Sequence, residues 1–281
     1  MNRYLRLFRF GNGVMGMVGV VVGAFIASGL DIADYRLGIL VACLIVFIFM
    51  AGGNAINDYI DKDIDRTAHP ERPIPRGEIK PRTAKILGGA MIVVAIMLGI
   101  IMLIASEILS IRSWNLTSTV IVVVAAALMT SYEVFLKQRG FIGNATIAVL
   151  TGMLFLLGGA VCGDVAAVVP IALMAVLVNI GREISKDIED EDSDEGRHTL
   201  PMIIGNGKAA AFSAGFFLTG VALSIWPLLA GSLNDLYLLV FVADAMFIYA
   251  AIIVFRSAHE AQKTAKIAMI VALLAFIAGV I

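Results

Sequence analysis

The sequence has 281 residues, of which 60% are hydrophobic and 15% charged, and its mean hydropathy is +0.93. Soluble domains contain about 45–50% apolar residues, so this composition excludes an ordinary soluble domain and indicates a membrane protein. The formal net charge of −1 gives no basis for nucleic-acid binding, and the two cysteines predict neither a disulfide framework nor a zinc site.

Apolar runs recur along the chain, each close to the roughly 20 residues that a transmembrane α-helix needs. They lie at about 13–30, 37–57, 86–106, 116–135, 142–162, 165–182, 208–230, 236–255 and 265–281. We therefore predict an all-α integral membrane protein: one domain over residues 1–281, with about nine transmembrane helices in a bundle.

The basic residues between these runs predict the orientation. If the N-terminus is cytoplasmic, all of the 21 Lys and Arg residues except Arg36 and Arg112 fall at the N-terminus or in cytoplasmic loops. The positive-inside rule therefore favours a cytoplasmic N-terminus in the cell membrane. The loops at about residues 58–85 and 183–207 then face the cytoplasm and hold most of the acidic residues.

Glycines are concentrated in the first apolar run. Residues 11–16, GNGVMG, match a dinucleotide-binding pattern, but no strand precedes them, so that interpretation fails. We interpret these glycines, together with Gly19 and Gly23, as small residues that let helices pack closely.

Four aspartates lie within eight residues directly after the second run, in NAINDYIDKDID. If the helix continues, Asp58, Asp61 and Asp65 are spaced i, i+3, i+7 and fall within an arc of about 60°, with Asn54 one turn earlier. Asp63 points the other way, and the glycine and glutamate that an EF-hand calcium loop requires are missing. We expect the carboxylates to lie at a wet membrane boundary and not in packed core.

The same spacing recurs after the sixth run. Asp187, Asp190 and Asp194 are again spaced i, i+3, i+7, and Glu183 takes the place that Asn54 has in the first copy. Because both sets follow runs that end in the cytoplasm, we expect them to face each other across a cavity.

Basic residues and prolines follow each set, with Arg72 and Arg76 after the first and Arg197 after the second. Prolines end helices, so these basic groups lie on loops that can fold back over the carboxylates. Carboxylate oxygens favour Mg²⁺, which binds through one or two carboxylates plus substrate phosphates. The pattern therefore predicts Mg²⁺, as two ions, clamping a diphosphate whose remaining charge the basic loops neutralise.

The two aspartate motifs, on the loops after runs two and six of nine, resemble those of the UbiA superfamily of intramembrane prenyltransferases. The resemblance covers essentially the whole chain. It implies a helix bundle around a cavity open to lipid, in which Mg²⁺ and the aspartates hold a prenyl diphosphate. It also implies ionisation to an allylic cation that an acceptor attacks. The residues it assigns to catalysis and metal binding are Asp58, Asp61, Asp65, Asp187, Asp190 and Asp194.

Within the superfamily, RFGN at 9–12, DRTAHPERPIPRG at 65–77 and REISKDIED at 182–190 look most like the archaeal branch. That resemblance implies transfer of a geranylgeranyl group to the free hydroxyl of geranylgeranylglyceryl phosphate, which forms the second ether bond of archaeal lipids. Arg9, Arg72 and Arg76 are then expected to favour the acceptor phosphate. The full set assigned to substrate binding is Arg9, Asn12, Asn54, Arg66, Arg72, Arg76, Tyr132, Lys137, Lys186 and Arg197.

Three alternatives are weighed against this interpretation. An aromatic or porphyrin acceptor stays open within the superfamily, although the acidic loops hold just one aromatic residue, Tyr59. A cation-coupled transporter would place its ionisable groups near the membrane midplane, whereas these acids cluster at one boundary. An alcohol phosphatidyltransferase would need glycine where Lys62 follows Asp61.

Asp244, within the eighth run, is interpreted as a structural hydrogen-bonding group.

Overall fold

The computed structural model describes residues 2–191 and 199–281, and the regular structure within them is helical. The predicted site residues Asp194 and Arg197 lie outside the described residues. In chain order the α-helices are α1 (Arg3–Leu7), α2 (Phe10–Ser28), α3 (Arg36–Ile60), α4 (Asp65–Ala68), α5 (Pro81–Leu109), α6 (Leu116–Ser131), α7 (Phe141–Val161), α8 (Val169–Glu189), α9 (Leu200–Ile204), α10 (Asn206–Ser224), α11 (Trp226–Leu229), α12 (Val240–Ile253) and α13 (Ala258–Val280).

Eight helical segments among the described residues are long and apolar enough to cross a membrane. The first segment, residues 10–60, contains both α2 and α3, which a 3₁₀ turn at Gly29–Tyr35 connects. Many large apolar side chains on these helices point outward, as lipid contact requires; Leu40 is 66% exposed and Ile108 74%. The predicted all-α membrane fold is confirmed, while nine crossings and a cytoplasmic N-terminus stay predictions.

The long helices form a closed bundle. Helix α3 packs between α2 and α5, α6 packs on both α5 and α7, and α7 lies against α2 and α8. Helix α8 also contacts α10 and α13, α12 lies between α10 and α13, and α13 returns to α2. Three clusters of buried apolar residues fill the interior.

A buried polar cluster connects α10 to α12. The hydroxyl of Ser224 donates a 2.8 Å hydrogen bond to Oδ2 of Asp244, and the hydroxyl of Tyr237 donates to the Ser224 carbonyl at 2.9 Å. Asp244 is 6% exposed, so this bond supplies a partner that a buried carboxyl group needs. The interpretation of Asp244 as a structural group agrees with this geometry.

Helices α2 and α7 approach so closely that their backbones touch at glycines. A Cβ atom on Gly23 would lie 2.3 Å from the carbonyl oxygen of Phe155, and one on Gly158 would lie 2.2 Å from that of Val20. Gly19 faces Leu154 in the same interface, where a Cβ would lie 3.1 Å from the leucine Cβ. The interpretation of the first-run glycines as packing residues is therefore confirmed at this interface.

We expect Gly158→Ala to destabilise the bundle by about 1–3 kcal/mol, because the added methyl group collides with backbone that cannot move aside. The measurement is the melting temperature of the purified protein in detergent. Gly89→Ala in α5 is the matched control, since nothing lies within 4 Å of its Cβ position and alanine is the better helix former. Equal melting temperatures for Gly158→Ala and wild type would contradict the close α2–α7 contact.

Candidate active site

The first aspartate set lies where α3 ends. The backbone N–H of Asp61 donates to the Asn57 carbonyl at 2.9 Å, and that of Asp65 donates to the Asp61 carbonyl at 2.8 Å. The chain thus keeps a helical path past Ile60, the last residue of α3, although the intervening turn is irregular. This path brings all three carboxylates to one region, as their spacing predicts.

These carboxylates are buried, which corrects the expectation of a wet boundary. Asp58 and Asp65 are each 2% exposed and Asp61 is 7% exposed. The basic groups that contact them come from the N-terminus, from the loop that follows Asp65, and from the segment after α6. A buried carboxylate needs a charged or hydrogen-bonded partner, and each of the three has one.

Arg72 and Arg9 are the partners of Asp65 and Asp58. Nη1 of Arg72 lies 2.8 and 2.7 Å from the two Asp65 carboxylate oxygens and 3.6 Å from Oδ1 of Asp58. Nη2 of Arg9 donates to Oδ1 of Asp58 at 2.8 Å and to Oδ1 of Asn57 at 3.3 Å. Arg9 has φ 47°, a left-handed conformation that is uncommon for arginine, and it lies at the break between α1 and α2.

Lys137 is the partner of Asp61, and it also lies next to Glu133, a residue that the sequence analysis did not single out. Its Nζ lies 2.5 Å from Oδ2 of Asp61 and 3.7 Å from Oε2 of Glu133. The Glu133 side chain is 3% exposed and accepts hydrogen bonds from Nδ2 of Asn57 at 3.2 and 3.3 Å. Glu133 is therefore a candidate site residue, and the signal for it in the sequence was an acidic residue inside an apolar run.

A turn of π-helix at Tyr132–Leu136 positions this pair. The backbone N–H of Lys137 donates to the Tyr132 carbonyl five residues earlier at 2.9 Å. Single π turns occur frequently at functional sites because the extra residue redirects side chains. Tyr132 itself is half-buried in this turn.

These contacts form one continuous network, here called the inner network. Its members are Arg9, Asn57, Asp58, Asp61, Asp65, Arg72, Glu133 and Lys137. With every group ionised, four carboxylates oppose three cations, so the formal charge is −1. The network can therefore accept a cation. Its basic side chains can also turn to an incoming anion if a cation binds the carboxylates in their place.

A second group of arginines surrounds Glu78, and we call it the outer cluster: Arg3, Arg6, Arg76 and Glu78. Arg6 forms a salt bridge with the Glu78 carboxylate, and Nε of Arg76 lies 3.1 Å from its Oε1. Nη1 of Arg3 donates to the Glu78 carbonyl at 3.1 Å. The hydrogen bond from Arg6 is the main reason that the pKa of Glu78 lies below its ordinary value.

The second aspartate set lies at the end of α8. Oδ2 of Asp187 accepts a hydrogen bond from Nδ2 of Asn144 at 2.7 Å, and Oδ2 of Asp190 lies 3.8 Å from Nζ of Lys186. Asn144 lies in the first turn of α7, seven residues after Lys137. One segment of chain, residues 133–144, therefore contacts both aspartate sets, and Asn144 is a second residue that the sequence did not reveal.

Three predicted substrate-binding residues lie apart from these contacts. Asn54 donates from Nδ2 to the Phe8 carbonyl at 3.1 Å, so it holds the end of α1. The Arg66 side chain is 74% exposed and lies 3.9 Å from Asp63. Asn12 is exposed, and its backbone N–H donates to the Arg9 carbonyl at 2.8 Å.

The donor chemistry of the inner network suits a hard divalent cation, because Asp58, Asp61 and Asp65 bring carboxylate oxygens together on one path. Within residues 2–191 and 199–281, however, no three His, Cys, Asp or Glu side chains converge in the manner of a metal site. The carboxylates are turned instead toward Arg9, Arg72 and Lys137. Holding a cation would require these oxygens to exchange partners.

Comparisons with known proteins agree along the whole chain. Residues 16–278 match the UbiA prenyltransferase family. The digeranylgeranylglyceryl phosphate synthase of Methanosphaera stadtmanae is 35% identical, over 99% of this chain and 99% of that protein. A solved structure of a digeranylgeranylglyceryl phosphate synthase has a TM-score of 0.81 at 33% identity, covering 99% of this chain and 97% of that one.

A more distant structure has the same fold. The UbiA homologue from Archaeoglobus fulgidus bound to GPP and Mg²⁺ has a TM-score of 0.69 at 16% identity, over 99% of both chains. The family match over nearly the whole sequence and the near full-length relative agree with the paired aspartate motifs. This chain belongs to the UbiA prenyltransferase family.

Proposed function

We propose that this protein transfers a geranylgeranyl group from geranylgeranyl diphosphate to the free hydroxyl of geranylgeranylglyceryl phosphate. The product is the second ether bond of an archaeal membrane lipid, and the reaction depends on Mg²⁺. Near full-length identity to digeranylgeranylglyceryl phosphate synthases supports the substrates. The observation that carries the reaction type is the inner network, in which buried carboxylates are paired with Arg9, Arg72 and Lys137.

The reaction follows from the charges in this network. The bond between the prenyl C1 and the diphosphate oxygen breaks, and its electron pair leaves with the diphosphate. The acceptor oxygen forms a bond to C1 and loses its proton, for which the departing diphosphate is a suitable base. Arg9, Arg72 and Lys137 donate hydrogen bonds to the diphosphate as negative charge develops on it.

The aspartates have the complementary role. When bound, Mg²⁺ neutralises diphosphate charge, and the Archaeoglobus fulgidus homologue binds this ion together with GPP. We assign one ion to Asp58, Asp61 and Asp65 and a second to Asp187, Asp190 and Asp194. With cations held there, Arg9, Arg72 and Lys137 would be available to donate to the diphosphate.

The membrane supplies the rest of the site. The prenyl tails of both substrates lie among apolar helices, in a cavity open to lipid, while the charged ends stay at the bundle end formed by α1, α3 and α8. The distribution of basic residues supports a cytoplasmic position for that end in the cell membrane.

Product analysis tests this proposal directly. Purified protein is incubated with geranylgeranyl diphosphate, Mg²⁺ and a panel of acceptors, and products are identified by mass spectrometry. We expect the ether of geranylgeranylglyceryl phosphate, and we expect no product when Mg²⁺ is chelated. Preferential prenylation of 4-hydroxybenzoate would show that the acceptor is aromatic and would reject the proposal.

The two aspartate sets should act as one unit. We expect Asp58→Asn and Asp187→Asn each to lower kcat by at least about a hundredfold, because each weakens metal binding at the diphosphate. The double variant should be hardly slower than either single one, since groups that act together are non-additive. Asp63→Asn is the control, because the Asp63 side chain is 66% exposed and lies outside the network. Turnover like wild type in either single variant would exclude this mechanism.

Glu133 should act through Lys137 by keeping the ammonium group in place once Asp61 changes partner. We expect Glu133→Gln to lower kcat/KM for the prenyl diphosphate about tenfold, and to have little further effect in a Lys137→Met background. Asp244→Asn, which neutralises another buried carboxyl group, is the control for a general loss of packing. Equal effects of Glu133→Gln in both backgrounds would show that it does not act through the lysine.

A further inference from the structure

The outer cluster has an unusual charge balance. Three guanidinium groups, from Arg3, Arg6 and Arg76, contact a single glutamate, two of them through its carboxylate. The formal charge of the cluster is therefore +2. The Arg6 and Glu78 side chains are about a quarter exposed and that of Arg76 about half, so an anion from outside can reach them.

One donor of this cluster has no acceptor. Nε of Arg6 is buried without a hydrogen-bond partner among residues 2–191 and 199–281. A buried guanidinium N–H without an acceptor is costly, so a shift of the Arg6 side chain that brings this N–H onto an added anion would be favourable. A phosphomonoester fits better than a second carboxylate could, because it carries more negative charge and has three oxygens that accept hydrogen bonds.

The outer cluster lies next to the inner network in two separate segments of the chain, one at the N-terminus and one in the loop after α4. The backbone N–H of Arg9 donates to the Arg6 carbonyl at 3.1 Å, and that of Arg76 donates to the Arg72 carbonyl at 3.1 Å. Arg6 and Arg76 are thus each one hydrogen-bonded backbone turn from an inner arginine. In geranylgeranylglyceryl phosphate, the phosphate and the reacting hydroxyl are on adjacent carbons, so two neighbouring anion sites suit the acceptor phosphate and the diphosphate.

We propose that Arg3, Arg6 and Arg76 bind the phosphomonoester of the acceptor, separately from the diphosphate at Arg9, Arg72 and Lys137. This inference rests on the proposed function. It also revises the sequence-based expectation that Arg9, Arg72 and Arg76 share the acceptor phosphate. Glu78 holds the arginines together before the acceptor arrives, and the phosphate then becomes their shared partner.

Kinetics with matched acceptors test the assignment. Arg6→Gln and Arg76→Gln are each measured with geranylgeranylglyceryl phosphate and with the corresponding alcohol, geranylgeranylglycerol, which lacks the phosphate. We expect either change to raise KM for the phosphorylated acceptor about ten- to a hundredfold, since each removes a charge-assisted contact. KM for the dephosphorylated acceptor and for the prenyl diphosphate should stay within about twofold. Arg76→Lys should bind the phosphorylated acceptor better than Arg76→Gln and less well than wild type, because lysine keeps the charge but lacks the bidentate geometry of the guanidinium group.

The control is Arg82→Gln, which removes the same charge from an exposed position at the start of α5, outside both groups. All variants are compared in detergent and in bilayer discs of neutral lipid, with and without phosphatidylglycerol. A defect that appears only with phosphatidylglycerol, and equally with both acceptors, would assign the cluster to a lipid headgroup and overturn the proposal. The proposal would also be overturned if KM for the phosphorylated acceptor stayed unchanged, or if KM rose equally for this acceptor and for the prenyl diphosphate. Failure of the proposed function is distinct, because the wild type would then form no ether product.

Discussion

The burial of Asp58, near the end of α3, and of Asp65, at the start of α4, is the constraint on which the surrounding structure depends. A buried carboxylate that loses its partner costs several kcal/mol, so Asp58 and Asp65 require cations wherever the chain can supply them. Arg9 comes from before the first long helix and Arg72 from the loop after α4. The small apolar cluster of Leu7, Ala55, Ile74, Ile79 and Ala84 supports the same two segments. Charge pairing and apolar burial together therefore hold the N-terminus and this loop against the bundle.

The same pairing suits a site that must handle strongly charged substrates in a largely apolar protein. Before substrate arrives, each basic group of the inner network has a carboxylate partner, so no charge is left buried alone. A diphosphate with its metal ions would bring negative groups for the basic side chains and positive ions for the carboxylates. Partners can then be exchanged without moving the helices, whose spacing is set by close contacts such as those at Gly23 and Gly158. A rigid bundle and an exchangeable charge network are thus separate properties of the chain.

Much of this arrangement follows from the sequence. Hydrophobic length predicts the helices, and the spacing of Asp58, Asp61 and Asp65 predicts their common position, because both depend on local helical geometry. Their burial could not be predicted in this way, since it depends on how the N-terminal Arg9 and the loop that carries Arg72 fold against them. Glu133 and Asn144 were missed for the same reason: a single polar residue in an apolar run acquires meaning only from what faces it. Arg76 shows a different case, because it follows Arg72 by four residues and was expected to share its role, whereas in the structure it contacts Glu78 and Arg72 contacts Asp65.

The π turn at Tyr132–Leu136 has a consequence for how this region can vary in length. In a regular α-helix, residues five apart lie about 140° apart around the axis, so Lys137 would point away from the side that Tyr132 faces. The wider π turn reduces this angle, and Nζ of Lys137 lies 2.5 Å from Oδ2 of Asp61. Removing one residue here would rotate the lysine out of the network while leaving two good helices on either side. The segment connects two long helices as a loop would, yet it should tolerate neither an insertion nor a deletion, because either would turn Lys137 away from Asp61.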